Sequence, residues 1–287
     1  MQKIKKCFAL LALIFAQHLS ADINIDLISD RAMFLYEKYR YVEVDGSGIY
    51  PEVRTFPFSD YSIVKVPNQG SFYIDKQECI KSFLARGEIW EPLIADLIRK
   101  HTRKNSIALD IGAHIGTHTI TMASSVGNGG IVLSFEPQRK IHKELIMNCK
   151  LNNCLNVFPF YCALGEYHGV AYLSEEQPYN EGERYISSKH PVEPIPMLTL
   201  DELSLDNVSF IKIDVESYEK EVLVGATQTI LRNKPIILIE IGGGLMREEE
   251  EGIDGQQYLQ SVLNMLESKF SYKTFLITTR DYLAIPL

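Results

Sequence analysis

From Ser106 onward the chain repeats one unit, a short apolar run followed by a segment of helical periodicity, and this repetition constrains the fold more than any other feature. The runs are "SIALDIG", "GIVLSFEP", "NVFPFYCAL", "VSFIKIDVE" and "KPIILIEIG". Their apolar residues fall on consecutive positions, as in strands covered on both faces, rather than alternating as on a half-exposed sheet. "THTITMASSV" and "QRKIHKELIMNCKLNN" join the first three runs, and "EKEVLVGATQTILRN" joins the fourth to the fifth, each with apolar residues at helical spacing. Strands alternating with helices pack as a parallel, doubly wound sheet with right-handed crossovers. The chain then closes with a helix, "GQQYLQSVLNMLES", and with "YKTFLIT" and "YLAIPL", read as a final antiparallel strand pair.

The N-terminus differs from the rest. Lys3, Lys5 and Lys6 precede an apolar run from Cys7 to Ala16 and a short polar segment ending at Ala21. That is the layout of a secretory signal over residues 1–21, and the run is too short for a membrane span, which needs about 20 apolar residues. The protein is therefore expected to be exported, with a mature chain starting at Asp22. Residues 22–75 form a Tyr-, Phe- and Val-rich extension with a short helix near Ala32 to Tyr39 and a few short strands. Residues 76–287 form the main domain, which opens with two helices broken at Gly87. Within it, residues 174–196 carry four prolines and many polar groups and read as a loop insertion, a length more often functional than idle. Cys79, Cys149, Cys154 and Cys162 show no metal-ligand spacing, and their number alone selects no disulfide pairing.

The turn after the first run, "LDIGAHIG", points to a ligand. A dinucleotide turn brings its backbone against a pyrophosphate, which is why it is spaced Gly-x-Gly-x-x-Gly. Here the position two after Gly112 is His114, the next glycine is Gly116, and Asp110 sets a carboxylate at the strand end, where it repels phosphate. S-adenosylmethionine lacks phosphate and carries ammonium and sulfonium charges, so a carboxylate favours it. The second run ends in Glu136, the strand position at which an acid takes ribose hydroxyls. Asp110, Gly112, Ala113, His114, Gly116 and Glu136 are accordingly the expected cofactor-binding residues.

With these residues in view, the chain resembles the FkbM family of S-adenosylmethionine-dependent methyltransferases from about Asp75 to the C-terminus. The resemblance rests on "GEIWEP", "LDIGAHIG", "FEPQ", "LTLDEL", "IKIDVESYEKEVLVGA", "PIILIEI" and "YLAIP". It implies a Rossmann-like class I methyltransferase fold and O-methylation of a small-molecule or carbohydrate-like hydroxyl. It also implies a position for Glu91, in "WEP", folded over the cofactor. Two residues depart from the family pattern: His114 stands where asparagine is usual, and Ser217 where glycine is usual. Serine resists the positive φ that glycine accepts at such a turn.

Ligands in open α/β sheets bind outside the carboxyl ends of the strands, so Asp110, Glu136 and Asp214 are expected to converge on one crevice. Asp214 and Glu216 alternate along "KIDVES" and are the candidate catalytic pair, one of them as a base for the acceptor hydroxyl. Burial beside a second carboxylate raises the pKa of such a base. The alternative reading has Asp214 capping the next helix and Glu216 paired with Lys212 or Lys220. No third ligand for a divalent metal stands out, and His118, His142, His168 and His190 read as ordinary residues. The net charge of −8 carries no electrostatic footprint for nucleic acid, and no stretch argues for a membrane substrate. The composition leaves oligomeric state open. Two competing functions remain: a nicotinamide oxidoreductase, disfavoured by Asp110 and His114, and an exported non-catalytic binding or surface protein that retains the fold.

Overall fold

The computed structural model describes residues 27–40, 61–75, 79–175, 181–242, 252 and 254–287. The expected signal at 1–21 and the expected start at Asp22 lie outside the described residues.

Seven strands form the central sheet in the order β11-β12-β10-β9-β3-β4-β5. These are β3 (Ile107–Ile111), β4 (Ile131–Phe135), β5 (Val157–Phe160), β9 (Val208–Ile213), β10 (Ile236–Glu240), β11 (Tyr272–Leu276) and β12 (Asp281–Pro286). β10, β9, β3, β4 and β5 run parallel, whereas β12 lies antiparallel between β10 and β11. The doubly wound sheet with its closing antiparallel pair is thus the one the sequence predicts. Both faces of the sheet are apolar. Ile107, Leu109, Ile111, Leu133 and Ile211 point into one buried cluster, and Ala108, Val132, Phe210 and Leu238 into the other. This double covering is why the strands read as continuous apolar runs instead of alternating ones.

α4 (Thr117–Val126) and α5 (Arg139–Leu151) provide the crossovers from β3 to β4 and from β4 to β5. α6 (Glu219–Gly225) and α7 (Thr227–Asn233) lead from β9 to β10 where one helix is expected. α8 (Gly255–Asn264) precedes the final strands. α2 (Cys79–Ala85) and α3 (Pro92–His101) flank the break at Gly87, whose φ is +73°. Among the described residues no helix is long and apolar enough to cross a membrane.

The extension contributes α1 (Asp30–Tyr39), which covers the sheet face at Phe158 and Phe160, and a hairpin of β1 (Ser62–Val66) and β2 (Gly70–Ile74). Side-chain amides fasten that hairpin. Asn152 accepts from the Ser71 N–H at 2.8 Å and donates to the Ser71 carbonyl at 2.7 Å, while Gln69 makes the same two-way pairing with the Trp90 backbone at 2.8 and 2.9 Å. Below it, fully buried Lys81 bonds Asp75 at 2.6 Å and Glu144 at 3.0 Å, so α2 is pinned to α5 by charge.

Two expectations need correction. "NVFPFYCAL" is not one strand: β5 ends at Phe160, and β6 (Ala163–Leu164) joins a second, three-stranded sheet ordered β6-β8-β7. The stretch 174–196 is not wholly loop, because β8 (Glu193–Leu198) occupies its end between β6 and β7 (Gly169–Leu173). Its prolines masked the strand. Pro194 and Pro196 pair with Tyr172 and Val170 of β7, and on the other side β6 reaches only Met197 and Leu198, so the missing N–H groups face a vacant edge.

Candidate active site

From β3 the chain winds outward to β4 and β5, and the later strands β9 and β10 lie on its other side, so β3 and β9 flank the switch in strand order. There the two strand ends almost touch. The Asp214 N–H donates to the Ile111 carbonyl at 2.9 Å. Gly112 has φ +80°, and a Cβ placed on it would stand 1.7 Å from the Asp214 carbonyl oxygen. Only glycine fits. Gly116 closes the turn at φ +92°, where a Cβ would meet Leu145 of α5 at 2.7 Å. Between them His114 holds φ +48°.

Glu136, just past β4, binds this turn. Its Oε2 accepts from the His114 N–H at 2.9 Å and its Oε1 from the Gln138 N–H at 2.8 Å. Burial pushes its pKa up to about 7 despite both bonds. Each carboxylate oxygen keeps a second lone pair, and the residue lies on the cavity wall, so it can still receive hydroxyl donors.

The turn after β9 is charged on every side. Lys212, buried within the strand, bonds Asp214 Oδ2 at 2.8 Å. Burial opposes ionisation of Asp214, but the Lys212 ammonium outweighs it and holds the carboxyl below its usual range. Glu216 and Ser217 follow at φ +50° and +70°. Burial, then the charges of Asp214 and Glu240, push Glu216 up to about 8. Glu240 ends β10 beside them and is raised to about 8, first by Asp214 and then by burial, although Arg280 lies 3.3 Å away. Behind the turn, buried Glu219 accepts from the Ser217 N–H at 2.9 Å and from the Tyr258 hydroxyl at 2.7 Å.

These turns enclose a cavity of about 530 Å³. Trp90 and Glu91 close one side. Glu91 is the residue before α3, has φ +46°, and meets His118 of α4 at 2.8 Å. Gly182, Glu183, Arg184 and Ile186, from the connection between β7 and β8, line it as well. Arg184 is committed there, donating to Glu193 at 2.6 Å and to the Ser174 carbonyl at 2.9 Å.

Glu91, Gly112, His114, Glu136, Asp214 and Glu216 therefore all line the cavity. Asp110, Ala113 and Gly116 are not on its wall. Asp110 is fully buried, with Oδ2 accepting the Thr119 hydroxyl at 2.5 Å and burial raising its pKa. The physical reason is register: Asp110 stands level with Ser134 and Lys212 inside the sheet, two residues before the strand opens at Gly112. Its charge helps to keep Lys212 protonated. Asp214 does not cap the next helix, and Lys212 pairs with it rather than with Glu216.

Sequence reasoning did not single out Glu240, took Lys212 only as an alternative partner of Glu216, and read His118 as an ordinary residue. Lysine inside the apolar run "FIKID" and glutamate ending "IILIE" were available signals, the latter by the same strand-end rule that selected Asp214. His118 is not an isolated core residue, since its ring is tied to Glu91. Among the described residues, no group of three or more His, Cys, Asp or Glu is arranged to hold a metal ion.

The model of the methyltransferase FkbM domain matches residues 110–272, more than half of the chain and a span that includes both turns. The chain belongs to the FkbM methyltransferase domain family. No curated protein matches it. Among solved structures it is similar to the methyltransferase FkbM of Methylobacillus flagellatus, with 16% identity over 67% of this chain and 50% of that one and a TM-score of 0.43. This chain thus spans half the length of that relative. It is also similar to an O-methyltransferase from Bacillus cereus in complex with SAH, with 14% identity, 72% and 88% coverage and a TM-score of 0.47. Fibrillarin from Aeropyrum pernix, with bound S-adenosyl-L-methionine, aligns at 14% identity over 68% and 73% of the chains, with a TM-score of 0.41.

Proposed function

We propose that this FkbM-family chain is an S-adenosylmethionine-dependent methyltransferase acting on a hydroxyl of a small-molecule or carbohydrate-like acceptor. The observation that carries this reading is the Gly112 turn. Its backbone is pressed against the Asp214 carbonyl and its neighbouring wall carries Glu136 and Asp214. A wall of that charge repels a pyrophosphate and suits a cationic cofactor with ribose hydroxyls. Glu136 and the backbone from Gly112 to His114 would hold the cofactor, with Glu91 and Trp90 alongside. When bound, that cofactor supplies an electrophilic methyl group.

The chain's own part is to hold the acceptor and take its proton. Asp214, kept ionised by Lys212, is positioned on the wall to receive a hydroxyl proton. Glu216, with its raised pKa, is the protonated partner at neutral pH and can donate a hydrogen bond to the acceptor. The raised pKa expected of a base thus falls on Glu216, and the anionic role on Asp214.

The test is calorimetry with S-adenosylhomocysteine and with NAD, followed by transfer of labelled methyl from S-adenosylmethionine. Binding of the former and not of NAD supports the reading, and tight NAD binding alone overturns it. Export through residues 1–21 is part of the same proposal, and recovery of Met1 or Gln2 at the N-terminus of the native protein defeats that part. The lysine-led signal favours one rival, an exported chain without activity. Cofactor binding without transfer to any hydroxyl would select that rival.

A further inference from the structure

The way α5 stops brings two cysteines together. The Cys154 N–H donates to the Cys149 carbonyl at 2.9 Å and the Asn153 N–H to the Lys150 carbonyl at 3.1 Å, with Asn153 left-handed at φ +54°. In a helix stop with these two bonds, the residue two beyond the cap packs its side chain on the residue three before it. The cap here is Asn152, so the packed pair is Cys154 on Cys149. A carbonyl–amide contact of 2.9 Å also keeps their Cα atoms within about 7 Å, a span that a disulfide can close. Cys149 belongs to a buried apolar cluster against which Cys154 packs, and the Cys154 thiol turns back over the helix end, donating to the Asn152 carbonyl at 3.8 Å. Both are free thiols. Between them stands Asn152, whose amide holds Ser71 of the hairpin, and just before them Asn148 accepts from the Tyr73 N–H at 2.7 Å.

We propose that Cys149 and Cys154 are a disulfide-forming pair, and that their bridge fixes the end of α5 to which the β1–β2 hairpin is fastened. The inference is independent of the methyltransferase reading, since neither cysteine lines the cavity. The oxidant is a small disulfide such as oxidised glutathione. The thiolate of Cys154, the less buried of the two, attacks it and forms a mixed disulfide as one glutathione thiolate leaves. The Cys149 thiolate then attacks the Cys154 sulfur, closing the bridge and releasing the second glutathione. The two protein thiols give up two electrons and two protons, and the glutathione disulfide becomes two thiols. Burial, and then the neighbouring Cys154 thiol, pushes Cys149 up, and burial pushes Cys154 up to about 11. Thiolates are therefore scarce in the folded chain, so the exchange is slow there and faster while α5 is forming.

The test refolds the reduced full chain from denaturant in a buffer of oxidised and reduced glutathione, and keeps a folded, reduced sample in the same buffer. Remaining thiols are alkylated and the chain is cut with trypsin. Cleavage after Lys150 separates the two cysteines, so a bridge appears as two peptides joined by a bond that reductant splits. Cys154 and Cys162 share one of those peptides, and fragmentation assigns the link between them. The link is expected at Cys154 in the refolded sample, and more slowly in the folded one, with a rate that rises with pH. C154S should remove it. In the bridged chain, amide exchange at Ser71 and Tyr73 should slow at least about threefold against the reduced chain. The proposal is overturned if both cysteines are alkylated in both samples, if the link runs to another cysteine, or if the two amides exchange equally with and without the bridge. Should refolding fail, the folded sample at alkaline pH decides alone.

Discussion

After β3 the backbone enters the left-handed region at Gly112 and Gly116, where no side chain objects, and at His114. After β9 it does so at Glu216 and Ser217, where two side chains object, at a cost of about 1–3 kcal/mol each. The acids differ in the same way. Glu136 beside the first turn holds two backbone N–H groups, whereas Glu216 in the second has no partner among the described residues and four acids near enough to raise its pKa. The first turn has its acid held by two backbone N–H groups, and it has one side chain at positive φ. The other keeps both conformational strain and charge repulsion, which a bound ligand can relieve. Strain and unmet charge gather where chemistry is done, and this contrast is the ground for proposing the β9 side as the reacting end of the cavity.

The sharpest way to break the comparison is Asp214→Asn. If Asp214 takes the acceptor proton, kcat should fall about 10²–10⁴-fold with cofactor affinity little changed. Normal turnover with a lowered melting temperature would make Asp214 a structural partner of Lys212 and leave the β9 turn without its reacting group. Next in size is Gly112→Ala, which forces a Cβ onto the Asp214 carbonyl. A loss of about 3 kcal/mol or more is expected in denaturant unfolding, and an unchanged midpoint would mean that the strand ends lie further apart. Glu136→Ala should weaken S-adenosylhomocysteine binding by about 1–3 kcal/mol, because the ribose hydroxyls lose their acceptor and the His114 turn loses its anchor. Equal affinity would show that the first turn does not depend on that acid.

The charge side of the contrast has a pH signature. Glu136 and Glu219 are pushed up to about 7, and Glu216 and Glu240 to about 8. Each is an acid whose folded pKa exceeds its unfolded value, so its stabilising share is complete at low pH and is lost as pH rises through the folded value. Buried His142, lowered to about 4, works in the opposite sense but only below its usual value near 6.5. Thermal stability should therefore fall between about pH 6.5 and 8, and E216Q with E240Q should flatten that slope. A flat profile in the unaltered chain would mean that these acids are solvated. The smallest effect is the strain itself: Ser217→Gly should stabilise by about 1 kcal/mol by relieving the positive φ, and a destabilised variant would show that the hydroxyl outweighs the strain.

The sheet was legible because its strands are buried on both faces and so read as uninterrupted apolar runs. The glycine turn was legible for the same kind of reason, since Gly112 and Gly116 mark positions where a side chain would collide. Asp110 was placed one step too far forward, because residue type at a strand end does not report which residue is the last to pair. Glu240 escaped notice as a member of an apolar strand, and Lys212 was weighed only as a partner of Glu216, although a charge in such a run has to be answered by another. The second sheet was hidden by prolines whose missing donors matter only on a side that β6 leaves empty, and no local pattern tells which side that is.

The antiparallel insertion of β12 between β10 and β11 has a consequence for heredity as well as for shape. The family match ends at Tyr272, before β12 begins at Asp281, and starts at Asp110, after the hairpin and α3. A fragment cut to the matched residues would bare the long edge of β10 and lose most of β11. It would also lose the Gln69–Trp90 pairing and the Lys81–Asp75 ion pair at its other end. An unpaired apolar edge of that kind recruits other chains. The segment that the family model spans is thus smaller than the segment that closes the sheet, and a fragment cut to the former is expected to aggregate.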